Sequence, residues 1–180
     1  DYYNLISLVD TAKTGSKKYL RGFYCLISYN QAFLYKKETD IQSLPILKGS
    51  HKLVIPGDVN LGKWQIKSKL INTATDSNTD PFKHLNKSPY SETFDISLLE
   101  TDLHVRTRTP GDRFVPLGMD NTKKLKDFMV DSKIPSYHRD RIPLVCSNAG
   151  IIWVVGWRIS NWAKLKNPNG KAIQINFETK

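Results

Sequence analysis

Short apolar runs separated by turn signals, one amphipathic stripe at helical spacing and a polar stretch near the middle predict an α+β chain. It is strand-dominated, with two small subdomains and a short amphipathic helix in the second. The 180 residues are long enough for one medium domain or two small ones, and 39% hydrophobic with 11% aromatic content is enough to build a core.

A helix is expected over Tyr2 to Ala12, where Leu5, Ile6, Leu8 and Val9 form an apolar stripe that ends near Gly15. A hairpin follows: Phe23 to Ser28 and Ala32 to Lys36 flank the turn Tyr29-Asn30-Gln31. Two more strands are expected at Lys52 to Ile55 and Trp64 to Leu70. In the second, Trp64, Ile66, Ser68 and Leu70 alternate with Gln65, Lys67 and Lys69, so one face is buried and the other is a second, weaker basic surface. Between Asn72 and Ser91 the chain turns polar and loses any helical or strand period, which reads as a linker or long loop. The expected division is therefore 1–72, linker 73–91, and a basic unit 92–180.

The second unit opens with Phe94 to Leu99 and a strand at His104 to Arg108, followed by the Pro110-Gly111 turn. A helix is expected from Asn121 or Thr122, with Asn121 as N-cap. Leu125, Phe128 and Met129 recur at i, i+3 and i+4 and anchor one face, leaving Lys123, Lys124 and Lys126 around the exposed side until Pro135 prevents continuation. Ile142 to Cys146 and Ile151 to Val155 read as a buried hairpin, and Ala172 to Phe177 as the last strand.

The formal charge of +10 favours an anionic partner, nucleic acid or an anionic membrane, through counterion release and long-range attraction, and charge alone does not choose between them. No run approaches the roughly 18 apolar residues of a membrane-spanning helix, and the N-terminus lacks the layout of a secretory signal. No membrane partner is expected, and a cytoplasmic address is the default, with a plastid or similar compartment left open. Cys25 and Cys146 lie far apart in apolar strands without CxxC spacing, so buried free thiols are expected. His51, His84, His104 and His138 show no ligand spacing, and no metal is assigned.

Arg106 and Arg108 stand two apart on the expected strand, so both guanidinium groups face one side, and the Pro110-Gly111 turn brings Arg113 back beside them. With Lys123, Lys124, Lys126 and Lys133 on the helix, and Arg139, Arg141 and Arg158 beyond it, they make the expected phosphate-binding set. Salt bridges to Asp102, Asp112 or Asp140 are the plainer fate of the same arginines, and a solvated helix face that of the lysines. Asp112 is expected to brace the turn. His138 beside Asp140 has the ingredients of an acid/base pair, but no nucleophile or second carboxylate accompanies them, and no catalytic residue is assigned. Trp153 reads as core, whereas Trp157 and Trp162, near Arg158 and Lys164, are open to base stacking or to packing.

The blocks VRTRTPGDRFVPLGM, KKLKDFMVDSKIP, RDRIPLV and GIIWVVGWRIS, in this order and at these short spacings, resemble the C-terminal region of the tRNA(Ile)-lysidine synthetase family. The resemblance is densest from about Phe94 to Ile159. It thins toward SLVDTAKTGSKKYLRGFYCLISYNQAFLYKK, which is similar to the preceding C-terminal subdomain, and the last twenty residues match loosely. The resemblance implies tRNA(Ile) as partner, gripped at the acceptor stem. It also implies a separate N-terminal domain that uses ATP and lysine to modify the wobble cytidine. No SGGxDS-type loop and no other phosphate-cradling glycine motif occurs here, so no cofactor is expected in this chain and it is expected to be inactive alone. A start at Asp1 fits a fragment. The oligomeric state is left open, a homodimer included. The alternative is a basic module that docks an acidic protein or another structured RNA.

Overall fold

The computed structural model describes residues 3, 6, 11, 13–29, 31–37, 44–73, 88–167 and 170–180. Positions 3, 6 and 11 are helical, and the rest of the helix expected over Tyr2 to Ala12 lies outside the described residues, as does most of the 73–91 segment.

Three strands, β1 (Lys17–Leu20), β2 (Phe23–Ser28) and β3 (Gln31–Tyr35), form an antiparallel sheet in sequence order. The β2–β3 hairpin matches the expected one. β1 is an addition, its lysines having masked the strand signal. Arg21 and Gly22 both have positive φ, 47° and 86°, which is the two-residue type I′ turn whose twist suits a hairpin.

The remaining described strands are β4 (His51–Lys52), β5 (Gly57–Leu61), β6 (Trp64–Asn72), β7 (Ser91–Asp95), β8 (His104–Arg106), β9 (Arg113–Phe114), β10 (Lys123–Lys124), β11 (Leu144–Ser147), β12 (Gly150–Val154), β13 (Arg158–Ile159) and β14 (Lys171–Thr179). Two short helices, α1 (Leu125–Asp131) and α2 (Ser136–Arg139), lie between β10 and β11. One sheet has the order β5-β6-β14-β7 and another the order β13-β12-β11-β8-β4, while β9 and β10 pair as a ribbon. The strand-dominated α+β class is as the sequence predicts.

β14 lies between β6 and β7 and pairs with β6 over its full length, from Lys171↔Asn72 to Thr179↔Trp64. One sheet therefore joins strands from both sides of the 73–91 segment, and a boundary drawn there from polar composition runs through a shared sheet and core. Long-range pairing of this kind leaves no trace in local periodicity.

The four-stranded sheet packs on one face of the five-stranded sheet through Trp64, Ile66, Phe94, Val105, Val145, Trp153, Ile173 and Phe177. Trp153 is the aromatic hub, with ring centroids 5.7 Å from Phe94 and 5.5 Å from Phe177. Truncating it to Ala costs about 3–5 kcal/mol. The other face of the five-stranded sheet, through Leu144, Cys146, Ile151 and Val154, carries α1 by Leu125, Phe128 and Met129. Burial on both faces explains why β11 and β12 read as continuous apolar runs rather than as alternation. In β6 the expected alternation holds through Ser68, then fails: Leu70 is exposed and Ile71 buried.

The helix begins later than expected. Lys123 and Lys124 pair with Phe114 and Arg113 as strand, so the cap of α1 is Lys124, without a side-chain cap bond, and not Asn121. Its end is also earlier than Pro135 requires. Lys133 adopts φ 54°, its N–H donates to the Val130 carbonyl and that of Ile134 to the Met129 carbonyl, which is a Schellman closure with Lys where Gly is usual.

Cys25 and Cys146 are free and buried; burial pushes the Cys146 thiol up to about 11. Among the described residues no helix is long and apolar enough to cross a membrane.

Candidate nucleic-acid interface

The site is built on the turn that follows β8. Thr109, Pro110, Gly111 and Asp112 close it, with the Asp112 N–H donating to the Thr109 carbonyl at 3.3 Å and Gly111 at φ 90°. Proline second and a positive φ third define type II. Arg106 donates to Asp112 through both terminal nitrogens, each at 2.8 Å, and the Thr109 N–H donates to the same carboxylate at 2.8 Å. Burial alone would raise the Asp112 carboxyl, but Arg106 and Thr109 outweigh it and hold the group below its ordinary value. The Asp112 carbonyl in turn accepts from the Leu125 N–H, which fixes the start of α1 against the turn.

This geometry corrects the expectation that Arg106 and Arg108 share a face. The strand ends at Arg106, whose guanidinium is committed to Asp112, and Arg108 points elsewhere, donating through Nε to Asp140 at 2.7 Å. Arg106 is the brace and Arg108 the outward cation. The expectation that Asp112 braces the turn holds.

Beside the turn lies a groove of about 580 Å³ lined by Arg108, Arg113, Lys124 and Lys126 among others, with Asp112 and Asp140 its only carboxylates among the described residues. Arg113 and Lys124 are direct cross-strand partners on β9 and β10. Like charges set opposite each other destabilise a ribbon, and Lys124 and Lys126 sit at the wrong end of a helix dipole that Asp127 offsets only in part. Asp112 is committed to Arg106 and Asp140 to Arg108, which leaves Arg113, Lys124 and Lys126 to share the groove with no further lining carboxylate among the described residues. Such an arrangement is stabilised by an arriving polyanion.

The other five expected cations are placed differently. Lys123 pairs with Asp131, and with Arg158 lines a second, shallower pocket of about 470 Å³. Lys133 is the exposed residue of the helix closure. Arg139 donates to the Ile134 carbonyl at 2.8 Å and to the Tyr29 hydroxyl at 3.3 Å, and Arg141 donates to the Leu44 carbonyl at 3.2 Å. Arg139 and Arg141 thus join the second half of the chain to the first. Just before them His138 accepts from the Leu44 N–H through Nδ1 at 3.4 Å, and burial, aided by Arg141, keeps its pKa below the usual histidine value. The ring is a neutral acceptor holding a crossing segment. Trp153 is core as expected, Trp157 packs against the α1 cluster, and Trp162 is 38% exposed.

One concentration of charge escaped the sequence reading. Residues 13–37 hold Lys13, Lys17, Lys18, Arg21, Lys36 and Lys37 and no Asp or Glu. Counting carboxylates along the segment, rather than seeking its strands, is the signal that finds it.

Residues 103–176 match the family described as TilS substrate C-terminal domain. The fold agrees: the chain superposes on a solved structure titled "Crystal structure of TILS C-terminal domain" with a TM-score of 0.57 and 27% identity, covering 73% of this chain and 96% of that one. Fold and match together define a C-terminal substrate domain. A tRNA(Ile)-lysidine synthase of Caldanaerobacter subterraneus subsp. tengcongensis is 37% identical over 150 residues, covering 83% of this chain and 30% of the relative. Another, of Dehalococcoides mccartyi, is 35% identical over 133 residues, covering 74% and 27%. The chain belongs to the tRNA(Ile)-lysidine synthase family and corresponds to its C-terminal region. It spans less than a third of the length of these curated relatives.

Proposed function

We propose that this chain is the substrate-recognition region of a tRNA(Ile)-lysidine synthase and grips tRNA(Ile), at the acceptor stem, by its phosphates. Lysine attachment to the wobble cytidine, with ATP and free lysine, belongs to an N-terminal catalytic domain of the whole enzyme, in the cytoplasm. The observation that carries this reading is the groove, where Arg108, Arg113, Lys124 and Lys126 converge and the two lining carboxylates, Asp112 and Asp140, are each already paired with an arginine. A structured RNA supplies phosphates at fixed spacing, and A-form helices are contacted mainly through phosphates, 2′-hydroxyls and the shallow groove.

Converting both Arg113 and Lys124 to Ala tests it, because neither is the turn's brace. Binding of tRNA weakens, and the slope of log affinity against log salt flattens by about 1.5–2, as loss of two phosphate contacts requires. Unchanged affinity and slope, or displacement of tRNA by polyglutamate at equal charge concentration, would move the partner from RNA to an acidic protein.

A further inference from the structure

Leu44 packs against both hydrophobic clusters, the one between the two large sheets and the one beneath α1. Both polar groups of its backbone are held by side chains 94 and 97 residues further along the chain. Its N–H donates to His138 Nδ1 at 3.4 Å, and its carbonyl accepts from Arg141 Nη1 at 3.2 Å. His138 is itself fixed: its carbonyl accepts from the N–H groups of Arg141 and Ile142 at 2.8 and 3.1 Å, and its ring lies against Tyr137 with centroids 4.4 Å apart. Asp140, which caps the same helix, lines the groove and accepts from Arg108. The clamp on Leu44 and part of the groove wall therefore share one short segment.

An imidazole nitrogen accepts from an N–H only while it carries no proton. Protonating Nδ1 sets two donors against each other and adds positive charge beside Arg141, which acts with burial against the charged ring. Asp140, the carboxylate of the segment, is bonded to Arg108 and does not offset this. The other titratable groups around the ring are Tyr137, in contact with it, Arg139, bonded to Ile134 and Tyr29, and Tyr35 of β3 beside Tyr137. Leu44 itself brings a backbone N–H and no charge.

We infer that His138 is a proton-operated clamp: neutral, it fastens the crossing segment at Leu44 to residues 136–141, and protonated, it releases that segment and loosens the seam between the two halves of the chain beside the groove. The inference stands on the clamp's own geometry and does not depend on what the groove binds. Burial and Arg141 hold the folded pKa below that of a free histidine. The stability that the neutral ring contributes is thus complete above the unfolded value, near 6.5, and is lost as pH falls through the lower folded value.

Amide hydrogen exchange of the 180-residue chain, read by NMR and corrected for the intrinsic rate at each pH, tests the clamp. The Leu44 N–H is expected to lose protection severalfold from pH 7 to pH 5, up to the ceiling of about 25-fold that a released histidine of pKa near 6.5 sets. The Val155 N–H, which donates to the Pro143 carbonyl, keeps its protection. In His138→Asn, whose side-chain oxygen can accept in place of Nδ1 but does not titrate, Leu44 is expected to be equally protected at both pH values. Unchanged Leu44 protection in the parent overturns the clamp. So does a loss shared equally by Val155, which marks loosening of the whole fold, or the same loss in His138→Asn. Should the variant fail to fold, the parent alone decides: nitrogen shifts of the His138 ring that show a proton on Nδ1 at pH 7 overturn the clamp, and an unprotonated Nδ1 that gains its proton as Leu44 loses protection supports it.

Discussion

Replacing Arg106 by Ala separates brace from contact. In the structure its guanidinium makes two 2.8 Å bonds to Asp112 and one of 2.9 Å to the Thr107 carbonyl, and the two side chains are 23% and 11% exposed. Removing one partner of a charge-assisted pair leaves the other carboxylate under-served. Deep burial would make that cost 3–5 kcal/mol, but partial exposure and the surviving Thr109 donors reduce it to about 2 kcal/mol. The pH dependence has a definite sign. Asp112 has a depressed pKa in the folded chain, so the stability it contributes is complete above its unfolded value, near 4, and is lost as pH falls through the lower folded value. Urea unfolding at pH 7 is therefore expected to show Arg106→Ala less stable by about 2 kcal/mol, with the gap from the parent narrowing by pH 3. At neutral pH the folded variant keeps the salt slope of tRNA binding, because the turn's outward cations remain. A variant as stable as the parent whose salt slope drops by about one would refute this, and would restore Arg106 to the interface.

Asp140→Asn removes the carboxylate that occupies Arg108, and tRNA affinity at low salt is expected to rise two- to fivefold, the scale of an exposed ion pair of up to ~1 kcal/mol; a fall in affinity would make Asp140 a positioning residue. Lys133→Gly relieves a left-handed backbone and is expected to raise stability by about 0.5–1 kcal/mol in thermal unfolding, whereas a loss of that size would show that the lysine side chain holds the helix end. A thiol reagent at pH 8 is expected to leave Cys25 and Cys146 untouched in the folded chain and to label both in denaturant, since both are buried and burial raises both thiols. Rapid labelling of the folded chain would contradict that burial.

The elements legible in the sequence are those whose burial is local. Leu125, Phe128 and Met129 stand at helical spacing and are 1%, 6% and 0% exposed, and the β11–β12 hairpin announces itself by two apolar runs around Asn148-Ala149-Gly150. β5 was not legible, because Gly57, Asp58 and Asn60 are poor strand formers held by pairing with β6. The place of β14 between β6 and β7 is a long-range fact that periodicity does not carry. At the groove, charge clustering marked the stretch whose side chains line it, but which guanidinium pairs with which carboxylate was decided by where β8 ends and by the reach of Asp112. Spacing along the chain assigned Arg106 and Arg108 to one face; the turn sent them to different carboxylates.

The salt dependence of tRNA binding, compared between two double variants, tests the central claim most directly. Arg113→Ala with Lys124→Ala removes groove cations, and Lys67→Ala with Lys69→Ala removes the same formal charge from the solvent face of β6, where Lys67 is paired with Glu178. The groove variant is expected to lose about 1.5–2 from the slope and the β6 variant to keep the parent's. Equal slopes for the two variants, or a larger loss from the β6 variant, would contradict a phosphate-gripping groove.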